Sequence, residues 1–351
     1  MLEITEIPVE GYECVKKAVD RERGLHAYIA VHSTVLGPAL GGMRLWPYAS
    51  EEEALTDVLR LAMGMTYKAA CAGLDLGGGK SVILARPEEK SEDLFEAMGE
   101  FVDSFGGRYI TAEDVNTNPN SIEVVSRKTE HVTGLKDRSG NPSPYTAHGC
   151  YLGLKATLGE VFGSEDIQGK TFAIEGAGSV GSIFAKMLVK EGGRIITADI
   201  RQESAEKLAQ ETGGTVVSPD EIRFVDCDVY CPSALGGSLN DQTIPKLQCK
   251  AVVGCANNQL LEARHGEMLR DRGILYAPDY VVNAGGLINV YNEYHTTYDE
   301  ARALAMMEKI YENLKAIYRI AKEDNVSTAT AADRFGDWRL EQARAAQAQT
   351  S

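Results

Sequence analysis

The sequence predicts an α/β protein of two domains. Its 351 residues exceed what one core of ordinary size requires, and short β-forming runs alternate with helical repeats along most of the chain. The alternation breaks at the Pro- and Gly-containing stretch 134–149, the expected boundary. That boundary gives a first domain of residues 1–135 plus 327–351 and a second of residues 136–326.

Composition narrows the function classes. Hydrophobic residues at 44% and charged residues at 25% suit a globular chain with a sizeable core. A formal net charge of −15 opposes nucleic acid and anionic membrane as partners, which leaves small molecules and further copies of the chain. No apolar run reaches the length of a membrane span, and Glu3, Glu6 and Glu10 are foreign to a signal peptide. Seven scattered cysteines, an odd number, predict a reduced, cytoplasmic setting; Cys227 and Cys231 lack the second pair a zinc site needs, so no metal is expected.

In the first domain, residues 25–35 read as a strand running into Gly37-Pro38. Residues 37–44, with Leu40, Gly41 and Gly42, read as a Gly-rich loop. Ser50 and Glu53 form a capping-box pattern, and Leu55, Val58, Ala62 and Met65 continue at helical spacing toward Lys68. Residues 64–80 then place Lys68 and Lys80 on either side of a glycine-rich turn, Gly77-Gly78-Gly79, expected where only Gly adopts the backbone or admits a close neighbour. A strand at 81–85 follows. Leu94, Met98, Phe101 and Phe105 mark a helix stopped by Gly106-Gly107, and the strand 108–112 presents Glu113 and Asp114 at its end.

In the second domain, a helix around 147–162 precedes the strand Thr171–Glu175, which runs into Gly176-Ala177-Gly178-Ser179-Val180-Gly181. A helix with Ile183, Phe184, Met187 and Leu188 inward lies behind, then a strand at 194–198 with Asp199 at its end, 21 residues beyond Gly178. Strand, turn, helix and acid together form the dinucleotide-binding context of a Rossmann-type doubly wound sheet. The glycines admit the pyrophosphate to the helix N-terminus, and Asp199 accepts from ribose hydroxyls. Asp199 would repel a 2′-phosphate and so favours NAD over NADP, a preference that Arg201 tempers. Further strands at 228–231, 251–254 and 274–277 end in loops carrying Ala234, Asn258 and Asn283, where such sheets bind ligands. Beyond them Leu304, Met307, Tyr311, Leu314, Ile317 and Ala321 form one helical stripe, and an Ala-rich helix from 327 is expected to pack on the first domain.

A nucleotide domain joined to two lysines and a carboxylate at loop ends suggests hydride transfer. An oxidised nicotinamide takes hydride from a carbon bearing an alcohol or an amine, and a base must accept a proton. None of the six histidines stands in a His–carboxylate dehydrogenase motif, whereas a lysine becomes a base when burial or a second cation favours its neutral form.

The runs Gly37–Arg44, Gly64–Lys68, Leu76–Lys80, Tyr109–Asp114, Asn257–Leu260 and Ala277–Gly286 resemble the leucine, phenylalanine and valine dehydrogenases of the amino-acid dehydrogenase superfamily, the leucine enzymes most of all. The resemblance covers nearly the whole chain. It implies reversible oxidative deamination of an L-amino acid to a 2-oxo acid and ammonia with NAD, in a homo-oligomer built through the first domain, with a cleft between the domains. By the same resemblance Lys68 holds the substrate carboxylate, Lys80 is the general base that activates water, and Asp114 is the acid that exchanges protons with the amine. Asn258 and Asn283 stand near the substrate and the nicotinamide ribose, Thr146 beside the nicotinamide, and Gly77–Gly79 keep bulk away from the substrate. Leu40, Ala112, Leu287 and Val290 line an apolar side-chain pocket beside Gly41 and Gly42, which disfavours glutamate.

Leu40 and Ala112 resemble the leucine enzymes. Leu287 stands where those tend to have valine, and residues 286–293 resemble aromatic-specific relatives, including tryptophan dehydrogenases, so an aromatic amino acid is the alternative substrate. A catalytically silent NAD-binding sensor is the alternative of another class; the joint presence of Lys68, Lys80 and Asp114 speaks against it.

Overall fold

The computed structural model describes residues 1–135, 138, 140–295 and 297–350. The chain divides into two compact units, residues 1–140 with 290–299 and 337–351, and residues 141–289 with 300–336. Relative to the expected domains, 290–299 joins the first unit and 327–336 the second. Lys136, Asp137 and Ser139 of the expected boundary stretch lie outside the described residues.

The first unit is built on strands β1 (Glu3–Glu6), β2 (Cys14–Asp20), β3 (Leu25–Ser33), β4 (Ala39–Trp46), β5 (Gly77–Leu84) and β6 (Tyr109–Glu113). They form one mixed sheet in the order β1-β2-β3-β5-β4-β6, with β4 parallel to both β5 and β6. Helix α1 (Glu51–Ala72) covers one face, with Ala54, Val58 and Ala62 against Val15, Tyr28, Ala30 and Val82. On the other face, α2 (Glu92–Asp103) sets Leu94, Met98, Phe101 and Val102 against Ile29, Met43 and Leu45, and the short α3 (Pro119–Val125) adds Ile122 and Val125.

Two elements differ from expectation. Residues 37–44 are not a loop: β4 occupies the sheet between β5 and β6, where backbone pairing on both sides outweighs the glycine signal. Nor do Gly77–Gly79 form a turn. Helix α1 runs through Lys68 to Ala72 and ends on Gly73 in the left-handed region (φ 76°), and the glycines open β5. Their reason lies inside the fold, because a Cβ on Gly78 would sit 2.1 Å from the Thr66 amide nitrogen of α1 and one on Gly79 2.7 Å from the Tyr109 ring. The start of α1 follows the sequence closely: Ser50 accepts from the Glu53 amide at 3.1 Å, while the Glu53 carboxylate reaches back to Ala49 N–H at 2.7 Å.

The second unit holds β7 (Thr171–Glu175), β8 (Arg194–Ala198), β9 (Thr215–Val216), β10 (Val229–Pro232), β11 (Ala251–Val252) and β12 (Leu275–Tyr276). All are parallel, in the order β12-β11-β10-β7-β8-β9. The order reverses between β7 and β10, the topological switch point of a doubly wound sheet. Its helices are α4 (Ser143–Phe162), α5 (Ser179–Lys190), α6 (Gln202–Thr212), α7 (Arg264–Asp271), α8 (Asp279–Val282) and α10 (Glu300–Glu323), with α4 packed against α5 and α10. Helix α9 (Gly285–His295) and helix α11 (Thr328–Thr350) each span a division between the units.

Along α10 the buried stripe is Ala303, Met307, Ile310, Leu314, Ile317, Tyr318 and Ala321, whereas Leu304, expected inward, is 38% exposed. At 100° per residue Leu304 lies about 90° from the stripe's centre. The far half of α11 packs on the first unit, where the Arg339 guanidinium donates to the Ala70 and Leu74 carbonyls at 2.8 and 3.1 Å and so caps the C-terminus of α1. Among the described residues no helix is long and apolar enough to cross a membrane.

Candidate active site

Sheet register brings the first group of residues together. Gly42 of β4 pairs with Ala112 of β6, and Leu40 with Gly78 and Met43 with Ser81 of β5, so Gly42 lies between Lys80 and Ala112. Side chains alternate along strands, so Leu40, Gly42 and Arg44 share one face of β4. Gly42 leaves a gap in that face. Through it Lys80, buried on β5, donates from Nζ to Asp114 Oδ1 at 2.8 Å, although a whole strand separates the two residues. A Cβ on Gly42 would lie 2.8 Å from the Asp114 Cβ and 2.6 Å from the Glu113 carbonyl oxygen. Gly42→Ala is therefore expected to push Asp114 off Lys80, with a fall in activity of about tenfold or more and a lower thermal midpoint. Initial rates beside a melting curve check both.

The electrostatics of the pair are one-sided. Burial by itself would raise the Asp114 carboxyl, but the Lys80 and Arg44 cations outweigh burial and hold it well below the ordinary carboxylate range. Asp114 is thus held as a carboxylate between the two cations. Its neighbour Glu113 is shifted the other way, raised by burial and by the Asp114 charge.

The other expected residues of this unit fall on neighbouring elements. Lys68 is partly buried on α1. Leu40 and Ala112 are 2% and 8% exposed. Val290 is tied to β6 through Thr133, whose hydroxyl donates to the Val290 carbonyl at 3.3 Å and whose amide donates to Thr111 O at 2.9 Å. Gly41 permits strand contact, since its Cβ would fall 1.7 Å from the Gly79 carbonyl oxygen. Arg44 escaped selection from sequence: it stands in a quoted run, but only the sheet register shows it facing Asp114.

In the second unit the turn after β7 divides its glycines by task. Gly176 has φ 106°, and its Cβ would meet Ala234 N at 2.8 Å, which joins the loops after β7 and β10 at the switch point. Gly181 lets α5 approach, its Cβ falling 2.2 Å from the Gly176 carbonyl oxygen. Gly178, by contrast, caps α5 and has open space where a Cβ would be. The Ser179 and Val180 amides begin the helix behind it. A close approach on two sides and an open third fits a pyrophosphate laid against the helix N-terminus.

Asp199, at the end of β8, accepts from the Ala177 and Arg201 amides at 2.8 Å each and so steadies the same turn. Beside it lies a cavity of about 270 Å³ lined by Ser182, Arg201, Ser204 and Lys207. Asn283 is buried and donates to Asn257 Oδ1 at 2.9 Å, while Asn258 is exposed with φ 52°. Asn258 therefore has a turn-forming role too, its carbonyl accepting from Gly237 N–H at 2.7 Å. Thr146 donates to Pro142 O at 3.1 Å and packs on Gly286 at the start of α9, where Leu287 is 7% exposed.

Among the described residues Asp241, Glu262 and His265 form an acid–histidine group. Arg264 donates to both carboxylates at 2.5 to 2.7 Å, and His265 Nδ1 accepts the Glu262 amide at 2.9 Å, which leaves the proton on the nitrogen a metal would need. Ion pairing accounts for this group.

A glycine turn at a helix N-terminus on a parallel sheet, carried in one chain with a buried lysine–carboxylate pair on a second sheet, is consistent with a nicotinamide-dependent dehydrogenase. Residues 12–131 match the family described as Glu/Leu/Phe/Val dehydrogenase, dimerisation domain, and residues 198–348 match Glutamate/Leucine/Phenylalanine/Valine dehydrogenase. The chain belongs to this family and is an oxidoreductase acting on the CH–NH2 group. Leucine dehydrogenase of Geobacillus stearothermophilus is 49% identical over 339 residues, 95% of this chain and 92% of the relative. Valine dehydrogenase of Streptomyces albus is 46% identical over 342 residues, 95% of this chain and 94% of the relative. The crystal structure of L-tryptophan dehydrogenase from Nostoc punctiforme superposes with a TM-score of 0.86 at 45% identity, covering 95% of this chain and 97% of that one.

Proposed function

We propose that the chain catalyses NAD-dependent, reversible oxidative deamination of an apolar L-amino acid, leucine or another branched-chain residue, to the 2-oxo acid and ammonium. The observation that carries this reading is the Lys80–Asp114 pair, closed at 2.8 Å through the gap at Gly42. The balanced reaction is amino acid, NAD+ and water giving 2-oxo acid, ammonium, NADH and a proton. The nicotinamide, when bound, accepts the hydride from the substrate Cα.

The chain's own groups do the rest. Asp114 exchanges protons with the substrate amine, and Lys80 as general base takes a proton from the water that attacks the imine carbon. Lys68 holds the substrate carboxylate. Gly176, Gly178, Ser179, Val180 and Gly181 would hold the pyrophosphate, Asp199 the adenosine ribose, and Ala234, Asn258, Asn283 and Thr146 the nicotinamide end. Asp199 favours NAD; Arg201 and Lys207 beside the 270 Å³ cavity soften the bias against a 2′-phosphate.

Leu40, Ala112, Leu287 and Val290 would contact the substrate side chain, and they offer no charge to a γ-carboxylate. The similarity to leucine dehydrogenases at 46–49% identity favours a branched aliphatic substrate. A second reading, an aromatic substrate, is favoured by the 45% identity to the tryptophan dehydrogenase structure. One methylene in an apolar pocket discriminates by only about 1–3 kcal/mol, so the two preferences overlap. A homo-oligomer through the dimerisation domain and a reducing, cytoplasmic setting suited to seven buried thiols complete the proposal.

Purified protein with NAD and single amino acids, followed by NADH absorbance, tests the reading. Leucine, valine and isoleucine are expected to give the highest kcat/KM, with phenylalanine and tryptophan lower; the reverse order transfers the assignment to the aromatic reading. Absence of turnover with all of them contradicts both and leaves the sensor.

A further inference from the structure

The Lys80–Asp114 pair is not an isolated ion pair. Asp114 uses both carboxylate oxygens on cations from different strands: Lys80 Nζ on Oδ1 at 2.8 Å and Arg44 Nε on Oδ2 at 2.9 Å. Arg44 is in turn fixed from behind, where its Nη1 donates to Asp57 Oδ2 of α1 at 3.0 Å and the Tyr48 hydroxyl donates to the same oxygen at 2.6 Å. The backbone is fastened separately. The Asp114 amide donates to the Thr117 hydroxyl at 2.8 Å, and that hydroxyl donates to Met43 O on β4 at 2.7 Å.

We propose that Arg44 is a positioning residue for the deamination: anchored through Asp57 and Tyr48, it sets the orientation of Asp114 and shares that carboxylate with Lys80, so that Oδ1 stays turned to Lys80. The inference rests on the reading of Lys80 and Asp114 as the proton-transfer groups. Two effects follow from one guanidinium. As a rigid fork it limits rotation of Asp114, which keeps Oδ1 turned to Lys80. As a permanent cation it helps hold the Asp114 carboxyl down, so that the carboxylate stays charged between the two cations. Glu113 on β6 and the Tyr109 hydroxyl also feel the Asp114 charge, while the hydrogen bond to Oδ2 comes from Arg44. No charge run marks Arg44 in the sequence; the register of β4 between β5 and β6 is what sets it facing Asp114.

Full-length Arg44→Gln, Arg44→Lys and Asp57→Asn, compared with wild type, test the inference through kcat, KM and the pH–rate profile, with nucleotide binding and thermal midpoint as controls. Arg44→Gln is expected to lower kcat by about 10- to 100-fold with a smaller change in KM, and to move the acid limb of the profile to higher pH by about 1 unit. Arg44→Lys restores the position of the limb while recovering only part of kcat, because charge returns without the fork. Asp57→Asn keeps the Arg44 cation but removes the anion behind it and loosens its anchor, so kcat falls while the limb does not move to higher pH.

A folded Arg44→Gln with wild-type kcat and an unmoved acid limb overturns the inference. So does equal loss in Arg44→Gln and Arg44→Lys with no movement of the limb, which would mark Arg44 as structural only. Failure of the underlying reading looks different: wild-type protein is inactive on every amino acid, or Lys80→Ala stays active.

Discussion

Lys80→Ala is expected to reduce amino-acid deamination by about 10²- to 10⁴-fold, the usual contribution of a positioned proton-transfer group, while nicotinamide nucleotide binds as before. The two halves of that result have separate causes. Lys80 is a buried residue of the mixed sheet, bonded to Asp114, whereas the turn Gly176–Gly181 belongs to the parallel sheet of the other unit. A nucleotide-binding titration by protein fluorescence, run beside single-turnover rates, separates them. Equal loss of binding and turnover would show instead that the substitution disturbs the fold.

Asp114→Asn is the second large expected effect, of similar size on kcat. The amide keeps the shape of the carboxylate but places at most one oxygen between two cations, and its NH2 group is a donor facing a donor. The loss therefore includes stability: breaking a buried ion pair by neutralising one partner costs about 3–5 kcal/mol, less here because both Asp114 and Arg44 keep roughly a fifth of their side chains exposed, at 22% and 23%. The pH dependence has a fixed sign. Because the folded-state carboxyl of Asp114 is held below its unfolded value, its stabilising contribution is full above the ordinary carboxylate range near pH 4 and is lost as pH falls through the folded value. The gap in thermal midpoint between wild type and Asp114→Asn should thus be constant from pH 6 to 8 and narrow only in strong acid. Combined with Lys80→Ala, the double variant should be little worse than either single one, since the two residues act as a unit.

How much of this was legible in the sequence depends on whether the signal is local. The turn Gly176–Gly181 with Asp199 was readable because strand, glycines, helix and acid follow one another within a single supersecondary unit. The N-terminus of α1 was readable for the same reason, and Lys80 and Asp114 stood out by resemblance. Strand β4 was not, because Gly41 and Gly42 are loop signals locally and become strand residues only when β5 and β6 pair on either side. Gly77–Gly79 misled similarly: a need for glycine was evident, but what presses on them is the amide of Thr66 and the ring of Tyr109, brought there by tertiary structure. Leu304 was read as inward because a large apolar residue dominates a periodicity, whereas small Ala303 occupies the buried position. Arg44 and Asp57 needed sheet register and helix packing before their side chains could be aligned with Asp114.

The central claim is that Lys80 and Asp114 form the proton-transfer pair of an amino-acid dehydrogenase. Its most direct test is the initial rate of NADH formation from L-leucine and NAD by wild type and Lys80→Ala at one alkaline pH. Ready turnover by wild type, reduced about a thousandfold or more in Lys80→Ala with nucleotide binding intact, is the expected result. Turnover by Lys80→Ala within a few-fold of wild type would contradict it.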